Sequence, residues 1–200
     1  TPNTSSAASD VYKRQGMDIP LIRKFACGYV QGAKAVNSKV EVYQNMTGTT
    51  PAAWNDPAKG SELAKSQFDR GADVVYAAAG GTGAGVYQAA ADSGKLAIGV
   101  DSNQNYMHPG TMLTSMLKRV DLATYETFMD VKSGNFTSGV KVLGLAEDGV
   151  GWAFDEYNKP LITDVMKSTI NGLSDKVKSG SIKVHDLSLI HISEPTRQIR

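Results

Sequence analysis

Cysteine occurs once in this 200-residue chain, at Cys27. No disulfide can therefore close within it, and the plain expectation for Cys27 is a small buried thiol. The stretch GMDIPLIRKFAC carries charges where a signal region before a lipid-attachment cysteine would be apolar. No apolar run reaches transmembrane length. Charge of neither sign dominates: 21 Lys+Arg stand against 20 Asp+Glu, a net charge of +1. Bulk charge thus draws the chain neither to nucleic acid nor to a lipid surface. A catalytic set is also lacking: there is no nucleophile elbow, no metal-ligand spacing and no acid–base pair. What is present is 41% hydrophobic residues, enough for one domain or most of one, without internal repeats.

The two ends differ in kind from the rest. DVYKRQ (Asp10 to Gln15) back-translates to GAT GTG TAT AAG AGA CAG, whose reverse complement encodes LSLIHI (Leu187 to Ile192). The ends read as two strands of one DNA element resembling a transposase-type sequencing adaptor, and TSSAAS and SEPTR read as its arms. Residues 1–15 and 187–200 are therefore expected to be translated adaptor and are set aside from fold reasoning. Residues 16–186 are expected to be the native stretch, and need not be a whole protein. The set-aside ends hold four basic and two acidic residues, which leaves 17 basic and 18 acidic.

Between these ends, helical and strand-like segments alternate. Ile22, Phe25, Tyr29 and Ala33 fall on one face of a helix over 21–36, with Pro20 in its first turn. A strand follows at 39–45. Asp56, Pro57 and Gly71 then supply a cap, a first turn and a stop for a helix. Further strands are expected at 72–80, 95–101, 111–117 and 141–145. Helices are expected at 82–94, 120–134 and 160–180, the last weakened at Gly172. Repeated strand–helix–strand units predict a parallel sheet with helices on both faces, and ligands bind such sheets beyond the carboxyl ends of the strands.

Three loops fall at those ends. MTGTTPAAWNDPAKG presents Trp54, either a flat face for a base or sugar ring or a ring packed over a helix end. AAAGGTGAG places Gly80 and Gly81 between a buried strand and a helix, where backbone N–H groups can approach a ligand. Close packing or a tight turn explains the same glycines. The loop lacks GxGxxG and is not followed by GK[ST], so it is neither a dinucleotide fingerprint nor a P-loop. IGVDSNQ ends a strand at Asp101, whose carboxylate can accept from two adjacent sugar hydroxyls or can simply form a turn. Lys118, at the end of another strand, can donate to the same sugar or stand as a surface charge.

Taken in order, GMDIPLIRKFACGYVQGAK, NDPAKGSELA, GADVVYAAAGGTGAGVYQAA, AIGVDSNQ, LTSMLKRVD and VLGLAEDGVGWA resemble the C-terminal half of the basic membrane protein family. These are substrate-binding lipoproteins of ABC importers, with the PnrA-like purine-nucleoside receptors as a branch. The resemblance implies an α/β, type I periplasmic-binding-protein fold of two doubly wound lobes. Mainly the C-terminal lobe and the return toward the other lobe would be present here. It implies that Trp54 stacks on the ligand, that Asp101 and Lys118 hold ribose, and that Gly80 and Gly81 line the cleft. Trp54 stands where relatives often have Phe.

The resemblance further implies a receptor rather than an enzyme, with no cofactor and no nucleic-acid partner. Its ligand would be a nucleoside, foremost a purine nucleoside, and its protein partners the permease subunits of an ABC transporter. It would work outside the cytoplasm, periplasmic or anchored to the cell membrane by a lipid outside this chain. The opposite lobe would carry the second aromatic and the aspartate that reads the base. Part of the stretch 113–131 should then show an apolar face without a partner, making the isolated chain poorly stable and prone to association. A sugar receptor or signalling protein of the same fold is the alternative, and a nucleotide-cofactor enzyme a more distant one.

Overall fold

The computed structural model describes residues 10–185, with side chains from residue 16 onward. The adaptor readings at 1–9 and 187–200 lie outside the described residues. Six strands form one sheet: β1 (Asp10–Met17), β2 (Glu41–Gly48), β3 (Val74–Ala78), β4 (Leu96–Gly99), β5 (Met112–Lys118) and β6 (Val150–Trp152). Their order is β2-β1-β3-β4-β5-β6. All neighbours run parallel except β5 and β6. Among the described residues five α-helices accompany them: α1 (Pro20–Val36), α2 (Pro57–Phe68), α3 (Gly83–Asp92), α4 (Val120–Ser133) and α5 (Asp164–Lys178). This is the doubly wound α/β arrangement expected.

Strand β3 shows why both faces are covered. Val75 and Ala77 point into a core made with Ala64 and Phe68 of α2 and with Val86, Tyr87, Ala89 and Ala90 of α3. The alternate residues, Tyr76 and Ala78, face the other way and meet Phe25 and Tyr29 of α1. The period of two along the strand thus sorts its side chains between two helical layers. Tyr29 stacks on Tyr76 with ring centroids 5.1 Å apart.

Local rules explain several helix ends. Pro20 occupies the first turn of α1, where its missing N–H costs nothing. Asp56 caps α2 by accepting the Lys59 N–H at 2.9 Å, and Pro57 follows it. Gly134 closes α4 at φ 73°, the left-handed conformation glycine tolerates.

Four features differ from the sequence expectations. Strand β1 includes 10–15, the stretch set aside as adaptor, between β2 and β3. Its main chain pairs along β2 from Asp10 to Met17 and along β3 from Val11 to Gln15. No strand forms over 141–145. Val142 is 82% exposed there, because an alternating pattern makes a strand only where a neighbour offers a ladder. Strand β6, three residues long, was not foreseen. Helix α5 begins at Asp164 rather than at Pro160, since Thr163 is the residue that caps it, accepting from the Met166 N–H.

Helix α4 buries no residue. Tyr125, Phe128 and Val131 are exposed, Phe128 by 70%. An apolar face without a partner is therefore present on α4, within the 113–131 stretch where it was expected.

Candidate functional site

The parallel strands all end at one edge of the sheet, and the loops at that edge carry the residues singled out above. Trp54 closes a single 3-10 turn, Pro51–Trp54, after β2. Its indole packs against Gly16 at the end of β1, so closely that a Cβ on Gly16 would overlap the ring. Its other neighbour is Gly80, where a Cβ would come within 3.1 Å of the Trp54 carbonyl oxygen. Gly80 also has φ +56°. Two constraints, a left-handed backbone and a close neighbour, thus select glycine there. A Cβ on Gly81 would come within 3.0 Å of Asn55 Oδ1.

Thr82 locks these two loops together. Fully buried, its hydroxyl donates to the Ala53 carbonyl at 2.8 Å and accepts from the Asp56 N–H at 2.8 Å. Both capacities of the hydroxyl are used. Behind it, α2 and α3 cross at glycines. A Cβ on Gly85 would run into the Pro57 carbonyl, and one on Gly60 into the Thr82 carbonyl. Gly85 therefore serves helix packing, where α2 and α3 approach most closely.

The second half of the site lies over β4 and β5. Asp101 follows β4 with φ +69°, a conformation uncommon outside glycine though less so for aspartate. Its carbonyl accepts the Lys118 N–H at 2.9 Å, and its carboxylate meets the Lys118 ammonium at 3.0 Å. Both side chains are half exposed, so this ion pair is worth under about 1 kcal/mol and can open for a ligand. Burial, and then the negative charge of Asp101, raise the Tyr76 and Tyr87 hydroxyls well above the ordinary tyrosine range. Both stay neutral donors, and Tyr87 donates to Gln104 Oε1 at 2.9 Å.

The structure thus gathers the five sequence candidates into two adjoining groups. Trp54, Gly80 and Gly81 sit over β1 and β3; Asp101 and Lys118 sit over β4 and β5. Strands β3 and β4 are neighbours in the sheet, so the two groups lie side by side along one edge, about two to three strand spacings of 5 Å from end to end. His108 lies elsewhere, its carbonyl closing a turn onto Thr111 and Met112. Among the described residues no group of three or more His, Cys, Asp or Glu is placed to hold a metal ion. Nor is any described helix long and apolar enough to cross a membrane.

Sequence reasoning missed the residues that hold these groups in place. Thr82 was visible only as part of a glycine-rich loop. Asn103, Gln104, Asn105 and Ser115 bond around the Asp101 turn, and Asp155 reaches them from a distant segment. The polar run DSNQN was the one signal available.

Known proteins resemble this chain in sequence and in fold. The family described as "ABC transporter substrate-binding protein PnrA-like" matches residues 3–188. Basic membrane protein D of Borreliella burgdorferi is 32% identical over 168 residues, covering 82% of this chain and 48% of that protein. The ABC transporter nucleoside-binding protein BmpA of Lactococcus lactis is 30% identical over 180 residues, covering 81% and 50%. Among solved structures, an ABC transporter solute-binding protein of Aeropyrum pernix superposes with a TM-score of 0.77 at 27% identity, covering 88% of this chain and 57% of the other. The chain spans about half the length of the curated relatives it matches. Their family is one of binding proteins, not enzymes. With its parallel sheet, its loop-bearing edge and these likenesses, the chain belongs to the PnrA-like family of ABC transporter substrate-binding proteins.

Proposed function

We propose that residues 16–186 are the C-terminal half of an extracytoplasmic receptor that captures a nucleoside, foremost a purine nucleoside, for an ABC importer. The observation that carries this is the pairing of Asp101 with Lys118 on the same sheet edge as Trp54. The Asp101 carboxylate accepts from two neighbouring ribose hydroxyls while Lys118 donates to a sugar oxygen. Each charge-assisted bond contributes about 1.5–3 kcal/mol once water is excluded. Trp54 offers its face to the base. It is already half-seated on Gly16 and Gly80, so little side-chain entropy is lost on stacking. Closure of a second lobe, a hinge motion, would expel water and strengthen these polar contacts. The permease subunits receive the ligand, and a lipid anchor outside this chain keeps the receptor at the membrane.

The test uses the full-length protein, obtained by amplifying the source DNA outward from Gly16 and Asp186. After removal of bound ligand, thermal shifts are recorded with purine nucleosides, pyrimidine nucleosides, free bases, ribose and nicotinamide dinucleotides. A ligand at a hundred times its Kd stabilises by about 2.7 kcal/mol. A shift with nucleosides supports the proposal. A shift with ribose alone keeps the fold but makes the protein a sugar receptor, and a shift only with dinucleotides overturns the receptor reading.

A further inference from the structure

Asp155 lies in sequence far from the Asp101 loop yet is bonded to it. Its Oδ2 accepts the side-chain amides of Asn103 at 2.6 Å and Asn105 at 3.1 Å. Its Oδ1 accepts the backbone N–H groups of Tyr157 at 2.9 Å and Asn158 at 3.3 Å. All four partners are donors, so only an ionised carboxylate satisfies the arrangement. Desolvation pushes this carboxyl up. The bonds from Asn103, Tyr157, Asn105 and Asn158 outweigh it and hold the group below the usual aspartate value.

Asp155 is itself firmly placed. The fully buried Asn158 accepts the Asp155 N–H and donates to the Leu113 and Ala153 carbonyls. From Asp155 the bonds run onward to the site. Asn105, also fully buried, accepts from the Ser115 hydroxyl, which in turn accepts the Gln104 N–H. Gln104 Oε1 accepts the Val100 N–H, one residue before Asp101. The turn that holds Asp101 at positive φ is thus tied at both ends, and Asp155 anchors it to the segment following β6. Sparsely populated backbone conformations persist where the surroundings over-determine them.

We infer that Asp155 is a positioning residue: without touching ligand, it fixes the turn that aims the Asp101 carboxylate at Lys118 and at the ribose hydroxyls. This rests on the nucleoside reading for its consequence in affinity, but the clamp itself is observable without ligand.

The experiment compares full-length parent, Asp155→Asn and Phe68→Leu. The last is a core change at the far end of α2 that serves as a stability control. Asparagine keeps the shape of Asp155 but turns an amide toward donors. Without ligand, hydrogen exchange at 100–105 should quicken about tenfold in Asp155→Asn and stay parental in Phe68→Leu. Affinity for a purine nucleoside should fall about tenfold in Asp155→Asn only, while affinity for its 2′,3′-dideoxy analogue stays within about twofold of the parent. Unchanged exchange overturns the clamp. Faster exchange with undiminished nucleoside affinity, or equal losses for nucleoside and dideoxy analogue, overturns the positioning role. If the parent binds no nucleoside, the functional reading fails by itself, and the exchange at 100–105 alone decides the clamp.

Discussion

Replacing Gly85 by alanine should destabilise the protein, although alanine is the better helix former. A Cβ at this position would lie 2.6 Å from the Pro57 carbonyl carbon and 2.9 Å from its Cα, with the carbonyl oxygen nearer still. Comfortable carbon–carbon contact is about 3.5–4.0 Å, so α2 and α3 would have to part by roughly 1 Å. The obstacle is backbone, which no rotamer change relieves, and overpacking of this kind costs up to about 3 kcal/mol. Helix propensity returns about 1 kcal/mol. The net loss is then about 2 kcal/mol, a fall in melting midpoint of roughly 4–8 °C. Gly172 provides the contrast. It lies in α5 with nothing within 4 Å of its would-be Cβ, so Gly172→Ala should raise the midpoint by roughly 2 °C. Thermal melts of both variants followed by circular dichroism in the full-length receptor make the comparison. If Gly85→Ala matches Gly172→Ala, the close approach of α2 and α3 is not the constraint described.

Three further outcomes follow from the same contacts. Thr82→Val leaves the Ala53 carbonyl and the Asp56 N–H without their buried partner, so urea unfolding should show a loss of about 1–3 kcal/mol; a neutral result removes the stitch between the two loops. Gly16→Ala must displace the Trp54 ring, so in a Trp152→Phe background its fluorescence should shift to the red, and an unchanged spectrum contradicts the seating. Asp18 pairs with Arg23 at 2.7 Å, and that hydrogen bond holds its carboxyl below the ordinary 3.8. A depressed pKa stabilises above the unfolded value and is lost as pH falls through the folded one. Asp18→Asn should therefore cost under about 1 kcal/mol at neutral pH and nothing once the parent carboxyl is protonated. A pH-independent difference contradicts the assignment.

How much of this was readable beforehand depended on whether the signal was local. Asp56 and Pro57 announce the start of α2 because cap and first turn are adjacent residues, and the core face of α1 is written in the spacing of Ile22, Phe25 and Tyr29. Strand β6 and the empty 141–145 stretch were misjudged for one reason. Whether a few extended residues become a strand depends on a neighbour supplied from elsewhere in the chain, as β5 supplies one for Val150–Trp152. Pro160 misled because a proline can open a turn as readily as a helix, whereas Thr163 bonds the Met166 N–H. At the candidate site, Trp54, Asp101 and Lys118 stood out because strand ends mark ligand edges in parallel sheets. Their supports did not. Gly16 under Trp54, Thr82 between two loops and Asp155 behind Asn103 are contacts between distant segments, and nothing in the local sequence foretells them.

The central claim is that Asp101 holds ribose hydroxyls at this edge. Its most direct test is a titration calorimetry cycle on the full-length receptor: parent and Asp101→Ala, each with a purine nucleoside and its 2′,3′-dideoxy analogue. Two charge-assisted hydrogen bonds at about 1.5–3 kcal/mol each predict that the parent prefers the nucleoside by roughly a hundredfold or more. In Asp101→Ala that preference should shrink at least tenfold, to what Lys118 alone supplies. If parent and variant discriminate between the two ligands to the same degree, Asp101 does not read the ribose.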